Sequence, residues 1–241
     1  MEDEDFINGE VTDPTVFDNP KDSDIILTFS GHQIYAHRVI LRMWSPFFKR
    51  VLDSQFCVAN NATFNIDDEC DDEHDPEPVY AMLKHIYGIP FVPRSSTDPR
   101  GVSGLKFCIK LYMMTDKYDI PSVRRIAVSV IQDHLFTSQN ELFGLTTLEP
   151  IPRYIALICG PRAPQLADPE LRDVLFSWLT ENFCVLTEHQ EYRDKIEDGS
   201  LLDSELTAKL LFSFSAQISA NKKTKTTRTT YLPPSSPTSN S

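Results

Sequence analysis

The segment HQIYAHRVILRMWSPFF, His32 to Phe48, changes character halfway along. HQIYA follows the β-branched, apolar DIILTF (Asp24–Phe29) across Ser30-Gly31, and two short runs around such a dipeptide read as a β-hairpin. From His37 onward, HRVILRMW turns to helical spacing. Ser45-Pro46 opens a second helix, because serine caps free amides and proline at the first helical position loses no hydrogen bond. His32 and His37 are five residues apart, which shares neither a helical face nor one side of a strand, so they do not form a metal pair. His37 is expected at the strand-to-helix junction, its ring bonding backbone groups freed there.

Downstream, Phe47/Val51 and Phe48/Leu52 are i,i+4 pairs on the short helix, and ATFNID alternates Phe64 and Ile66 as a third strand. An acidic run leads into a helix with Val79, Met82, Leu83 and Ile86 on one face, ended by Gly88. A breaker-rich loop follows. Leu105, Cys108, Ile109 and Tyr112 then fall in register, and after Pro121 the stripe is Val123, Ile126, Ala127, Val130 and Ile131. Beyond residue 136 the pattern is all helical. Asp168-Pro169 caps a helix striped by Leu171, Val174, Leu175, Trp178 and Leu179, and a last helix carries Leu202, Leu206, Leu210 and Phe214. These patterns divide the chain into an acidic arm (1–20), an α+β domain (21–135), a helical extension (136–220) and a tail (221–241). The tail is basic, then rich in Pro, Ser and Thr, and is expected to be disordered. The arm is expected to be disordered or to dock as an extended segment.

Composition excludes several classes. The formal charge of −12 repels phosphate backbones, so the body is not expected to bind nucleic acid directly. DDECDDEHDPE (Asp67–Glu77) holds eight carboxylates in eleven residues, yet lacks the glycine at which a calcium loop turns, and reads as a solvated loop or a charged helix start. Five isolated cysteines without a CxxC point to a reducing compartment, cytosol or nucleus. No leader or membrane-length apolar run is read. No HExxH, GxSxG, GxxxxGKS/T or GxGxxG occurs, and Cys70 with His74 lacks a second pair at zinc-finger spacing. No catalytic residue, metal or cofactor is expected, and the chain reads as a non-enzyme.

In this order, Asp24, Ala36, His37, Arg38, Leu41, Ser45, Phe47 and Phe48 resemble the opening of a BTB/POZ domain. VYAMLKHIYG and LYMMTDKYDIPSVRRIAVSVI, with Asp116, Lys117 and Tyr118 in place and Thr115 where Ala is usual, resemble its second half. The resemblance spans about residues 22–135 and is similar to the short BTB-only proteins numerous in fungi. It implies a small β-sheet capped by a helical bundle, here with an all-helical extension, acting in protein–protein interaction as an adaptor or assembly factor. Asp24-like and Arg38-like residues of the family lie near its partner groove and dimer surface, whereas His37, Leu41 and Phe48 are expected to maintain the fold. A homodimer through the first helix is implied, with Val16 and Phe17 available for an exchanged N-terminal strand. The family also includes transcription-associated regulators, for which Lys222, Lys223, Lys225 and Arg228 would serve as a nuclear import signal, and cullin-3 ubiquitin ligase adaptors. The cullin-facing loop, GIPFVPRSSTDPRGVSG, supplies Ile89, Phe91 and Val92 but no Glu. Weak or absent cullin-3 binding is therefore expected. An enzyme with an unrecognised site is the remaining alternative.

Overall fold

The computed structural model describes residues 14–53, 61–66, 75–90, 102–137 and 151–229. The described chain opens with a 3-10 turn, Pro14–Val16, then β1 (Ile25–Phe29), β2 (His32–Ala36), α1 (Arg38–Trp44), α2 (Pro46–Leu52) and β3 (Thr63–Asn65). Helices α3 (Glu77–Ile86), α4 (Val102–Lys117), α5 (Pro121–Thr137), α6 (Ile151–Cys159), α7 (Glu170–Leu186), α8 (Gln190–Glu197) and α9 (Ser204–Thr229) follow. The chain divides into two compact units: Met1–Tyr154 with Gln165–Val174, and Ile155–Pro164 with Leu175–Ser241.

In the first unit the strands run β2-β1-β3, with β1 central. The hairpin pairs Ile25 with Ala36 through Phe29 with His32, so Ser30 and Gly31 form a two-residue turn. Both have positive φ, 43° and 76°, the geometry whose twist matches that of the flanking strands. β3 joins β1 in parallel, Leu27 beside Phe64, after a crossover that holds α1 and α2. Ile25, Leu27, Phe29, Ile34 and Ala36 point into the core, while Ile26, Thr28 and Tyr35 are half-buried. The stripes of α3 (Val79, Met82, Leu83, Ile86) and α4 (Leu105, Cys108, Ile109, Tyr112) are buried as the periodicity predicts. The three short strands and the helices that pack on them make this an α+β unit.

On α5 the stripe is rotated from its expected position. Val123, Ala127 and Ile131 are buried, but Ile126 and Val130 are 40% and 43% exposed, and Arg124 and Val128 face inward instead. An apolar count places the face by hydrophobicity alone; here an ion-paired arginine takes a core position. The segment ahead of β1 is not an extended arm where it is described. Asp18 turns back so that its carboxylate accepts the Tyr35 amide of β2 at 3.0 Å. Phe17 lies edge-on against Tyr87, with ring centroids 5.3 Å apart.

In the second unit Ile155, Ile158, Leu175, Trp178, Leu179, Leu186, Tyr192, Leu201, Leu206 and Leu210 are buried, and Phe214 meets Phe183 at 5.0 Å. Leu202 is also buried but precedes α9, whose first turn is capped by Asp203 accepting the Leu206 amide at 2.9 Å. The Asp203 amide in turn donates to the Cys159 carbonyl at 2.8 Å. α9 runs to Thr229, through the Lys/Thr stretch expected to lack structure from residue 221; residues 230–241 lie outside the described residues. Once a helix is nucleated, each added residue completes one backbone bond at little cost, and basic residues near the C-terminal end suit the helix dipole.

Gly160 follows α6 where two backbone segments nearly touch. A Cβ there would clash with the Ala156 carbonyl and stand 2.6 Å from the Ser200 carbonyl oxygen, and neither backbone atom can rotate away. Gly160→Ala is expected to cost about 1–3 kcal/mol of stability, read as a lower midpoint in chemical denaturation. An unchanged midpoint would show that the Ser200 turn yields freely.

Candidate functional site

α1 is seven residues long and its N-terminal end is held by side chains from three directions. The Arg38 amide, first in the helix, donates to Asp24 Oδ1 at 2.8 Å. A carboxylate at the positive end of a helix makes a charge-assisted bond and satisfies an otherwise orphaned donor. Arg38 Nε donates to the Asp24 carbonyl at 3.3 Å, and its guanidinium also donates to the Asn61 carbonyl. One side chain therefore clamps the backbone ahead of β1 and ahead of β3, a use of the planar fork that lysine cannot reproduce.

His37 stands at the strand-to-helix junction as expected, but its ring bonds elsewhere. It is the N-cap of α1, but its ring makes no capping bond to the helix. Its amide donates to Tyr87 Oη at 2.9 Å, and its Nδ1 lies 3.0 Å from the same hydroxyl. With the phenol O–H directed at Nδ1, Tyr87 accepts one bond from the His37 amide and donates the other to the ring. Burial pushes the Tyr87 hydroxyl up to about 12, with the Asp24 carboxylate adding to the rise, so it stays protonated for this exchange. The far end of α1 rests on a second histidine: Trp44 meets His85 edge-on at 5.8 Å, and His85 Nε2 lies 3.0 Å from Ser122 Oγ. Burial lowers the His85 pKa and favours the neutral ring.

Ser45 joins α1 to α2. Its hydroxyl is fully buried, accepts the Phe48 amide at 3.0 Å and donates to the Tyr118 carbonyl at 2.6 Å. Phe48 stacks on the Tyr118 ring at 5.5 Å and 10°, and Phe47 meets Tyr118 edge-on at 5.1 Å. Phe64 of β3 closes the group against Phe48 at 5.5 Å. Leu41, on the inner face of α1, is wholly buried.

With its inner face and both ends fixed, α1 presents Val39 and Met43 outward, 61% and 77% exposed and one turn apart. Arg42 beside them pairs with Asp53 at 2.7 Å, both about two-fifths exposed; a surface pair of this kind adds little stability. The expected residues thus come together around one helix: Asp24, His37 and Arg38 at its start, Leu41 beneath it, and Ser45, Phe47 and Phe48 at its exit. Ile89 is half-buried just past α3, its amide donating to the Lys84 carbonyl at 2.9 Å. Phe91, Val92, Cys70 and His74 lie outside the described residues.

A second cluster escaped the sequence reading. Arg124, 6% exposed, donates from Nε to Asp168 Oδ2 at 2.9 Å, with its Nη1 3.7 Å from Asp116 and 3.8 Å from Asp119. Tyr112 Oη donates to Asp168 Oδ1 at 2.6 Å, and Asp116 accepts the Ala167 amide at 3.0 Å. Asp168, expected as a helix cap, reaches the Glu170 amide only at 3.4 Å and spends its carboxylate on Tyr112 and Arg124. The available signal was an arginine interrupting an apolar stripe.

These groups hold one another in place. Burial pushes the Cys108 thiol up to about 11, away from the thiolate. Among the described residues no group of three or more His, Cys, Asp and Glu side chains is arranged to hold a metal ion. Ser45→Ala leaves the Phe48 amide and the Tyr118 carbonyl buried without this partner. It is expected to cost about 1–3 kcal/mol in thermal or urea unfolding. A cost near zero would mean that the hydroxyl link is dispensable.

No curated protein matches this sequence. The family model of the BTB/POZ domain matches residues 15–135, 121 of the 241 residues. The match takes in the turn with Phe17 and Asp18, the hairpin, the α1 corner and the helices through α5. On this match, and on a fold that agrees with it, the chain belongs to the BTB/POZ domain family.

Proposed function

We propose that this chain acts as an adaptor or assembly factor that pairs with a second copy of itself through α1 and carries no catalytic activity. Membership in a protein-interaction family supports the general role. The observation that carries the specific reading is the pair Val39 and Met43: two exposed apolar side chains one turn apart, on a helix whose other face and both ends are fixed. A rigid apolar face loses little conformational entropy when covered, the condition under which a small patch gives useful affinity. Asp24 and Arg38 support this face through backbone bonds, so they act in pairing by positioning α1. Five scattered cysteines without a CxxC favour a cytosolic or nuclear setting, and none of the helices among the described residues is long and apolar enough to cross a membrane.

Placing a charge at Met43, which is exposed and leaves the fold intact, is expected to lower the mass measured by light scattering at about 50 µM, a concentration at which micromolar dimers form. Val39→Glu is expected to do the same. A mass unchanged by both would remove α1 from the pairing surface.

The cullin-3 role is a separate question, and we favour weak or no binding. The loop after α3 carries Ile89, Phe91 and Val92 but no Glu, so a charge-assisted hydrogen bond worth about 1.5–3 kcal/mol has no donor–acceptor partner there. Calorimetry with a cullin-3 N-terminal fragment is expected to show no nanomolar binding. Nanomolar binding that Phe91→Ala abolishes would reverse this reading.

A further inference from the structure

α9 is striped on two sides. Its inner side is used within the second unit, where Leu206 and Leu210 are buried and Phe214 meets Phe183. Its outer side carries Leu211 and Phe212, 64% and 74% exposed, with the small, exposed Ala208 and Ser215 within a turn of them. From Leu210 to Asn221 the sequence LLFSFSAQISAN has no charged residue on any face. The solvent face of a helix is normally charged or polar, whereas this one presents the large apolar side chains of Leu211 and Phe212.

The charges lie at the two ends and differ in sign. Asp198, Asp203 and Glu205 stand at or ahead of the N-terminal end, and Lys209 there is already paired with Glu205 at 2.7 Å. Lys222, Lys223, Lys225 and Arg228 occupy the C-terminal end, with no acid after Glu205 in the chain. Two such helices side by side in parallel would set four cations against four. Laid antiparallel about a two-fold axis near Ser215, they set each basic end level with the other's acidic start, in an isologous contact, and their dipoles also oppose favourably.

We propose that the outer face of α9 is a self-association surface, and that its occupant is α9 of a second copy packed antiparallel. The contact is independent of α1 and lies in the other compact unit. A chain with two different isologous faces can assemble beyond a dimer. Charge complementarity at the ends sets the orientation, and Leu211 and Phe212 provide the apolar contact at its centre.

Full-length protein carrying Met43→Glu isolates this contact from α1 pairing. By light scattering at about 50 µM this variant is expected to remain two chains, and adding Phe212→Glu is expected to reduce it to one. Because Phe212 is exposed, that change leaves the core untouched, and a circular dichroism spectrum matching the parent confirms it. Glu205→Lys in the same background, which puts like charges at both ends, is expected to weaken pairing about tenfold, and raising the salt is expected to weaken it too. A Met43→Glu protein that is already monomeric overturns the proposal without touching the α1 reading. So does a pair that survives Phe212→Glu, or an α9 face that binds anionic vesicles while the chain stays single. If instead Met43→Glu leaves the wild-type mass unchanged while Phe212→Glu lowers it, the α1 reading fails and this one stands.

Discussion

One buried hydroxyl ties the two halves of the BTB/POZ unit together. Ser45 lies at the corner between α1 and α2, and its oxygen both caps α2 and donates to the Tyr118 carbonyl just past α4. Buried donors and acceptors must be paired, so the hydroxyl fixes the distance between two segments far apart in sequence. The aromatic group of Phe47, Phe48, Phe64 and Tyr118 then packs around that fixed point, with Phe48 stacked flat on Tyr118 and the others meeting edge to face. Such pairs contribute beyond their buried area because ring edges and faces carry opposite partial charge.

The buried charges play a comparable part for residues 165–174. Arg124 Nε and Tyr112 Oη both donate to Asp168, and Asp116 accepts the Ala167 amide, so the segment carrying Ala167 and Asp168 belongs physically to the α4–α5 unit. Removing one member of a buried ion pair commonly costs about 3–5 kcal/mol, whereas replacing the whole set by apolar residues is often neutral. The cluster is therefore better understood as specifying where this segment returns than as a large source of stability. Burial raises the Asp116 pKa, with Arg124 and the Ala167 amide acting against the rise. Its ionised form is thus held at some cost, and its own contribution to stability falls as pH rises from the ordinary carboxylate range toward its raised value.

The polar groups around α1 are occupied in holding it. The histidines at the two ends of α1 are engaged with Tyr87 and Ser122, and the Cys108 thiol is buried away from its reactive form. Both α1 and α9 hold large apolar side chains outward: Val39 and Met43 on one, Leu211 and Phe212 on the other. Surfaces of that kind, on helices seated by their opposite faces, suit binding to proteins.

The sequence by itself determined the elements and most of the core. The Ser30-Gly31 turn, the Ser45-Pro46 start, the apolar registers of α3 and α4, and the family resemblance are all local patterns, set by backbone geometry and by which side chains avoid water. It also named the residues that surround α1, because Asp24, His37, Arg38 and Ser45 are tied to that corner by short-range chain geometry. Their partners were not legible. That His37 would bond Tyr87 rather than cap its helix, that Arg38 would clamp Asn61, and that Arg124 would displace Ile126 and Val130 from the core face each depend on a residue far away in sequence. Polar pairing is directional and is decided atom by atom, whereas hydrophobic periodicity records only an average preference for burial. The sequence could therefore place the helices and strands, and only the tertiary structure could decide which polar groups meet and which apolar side chains remain in water.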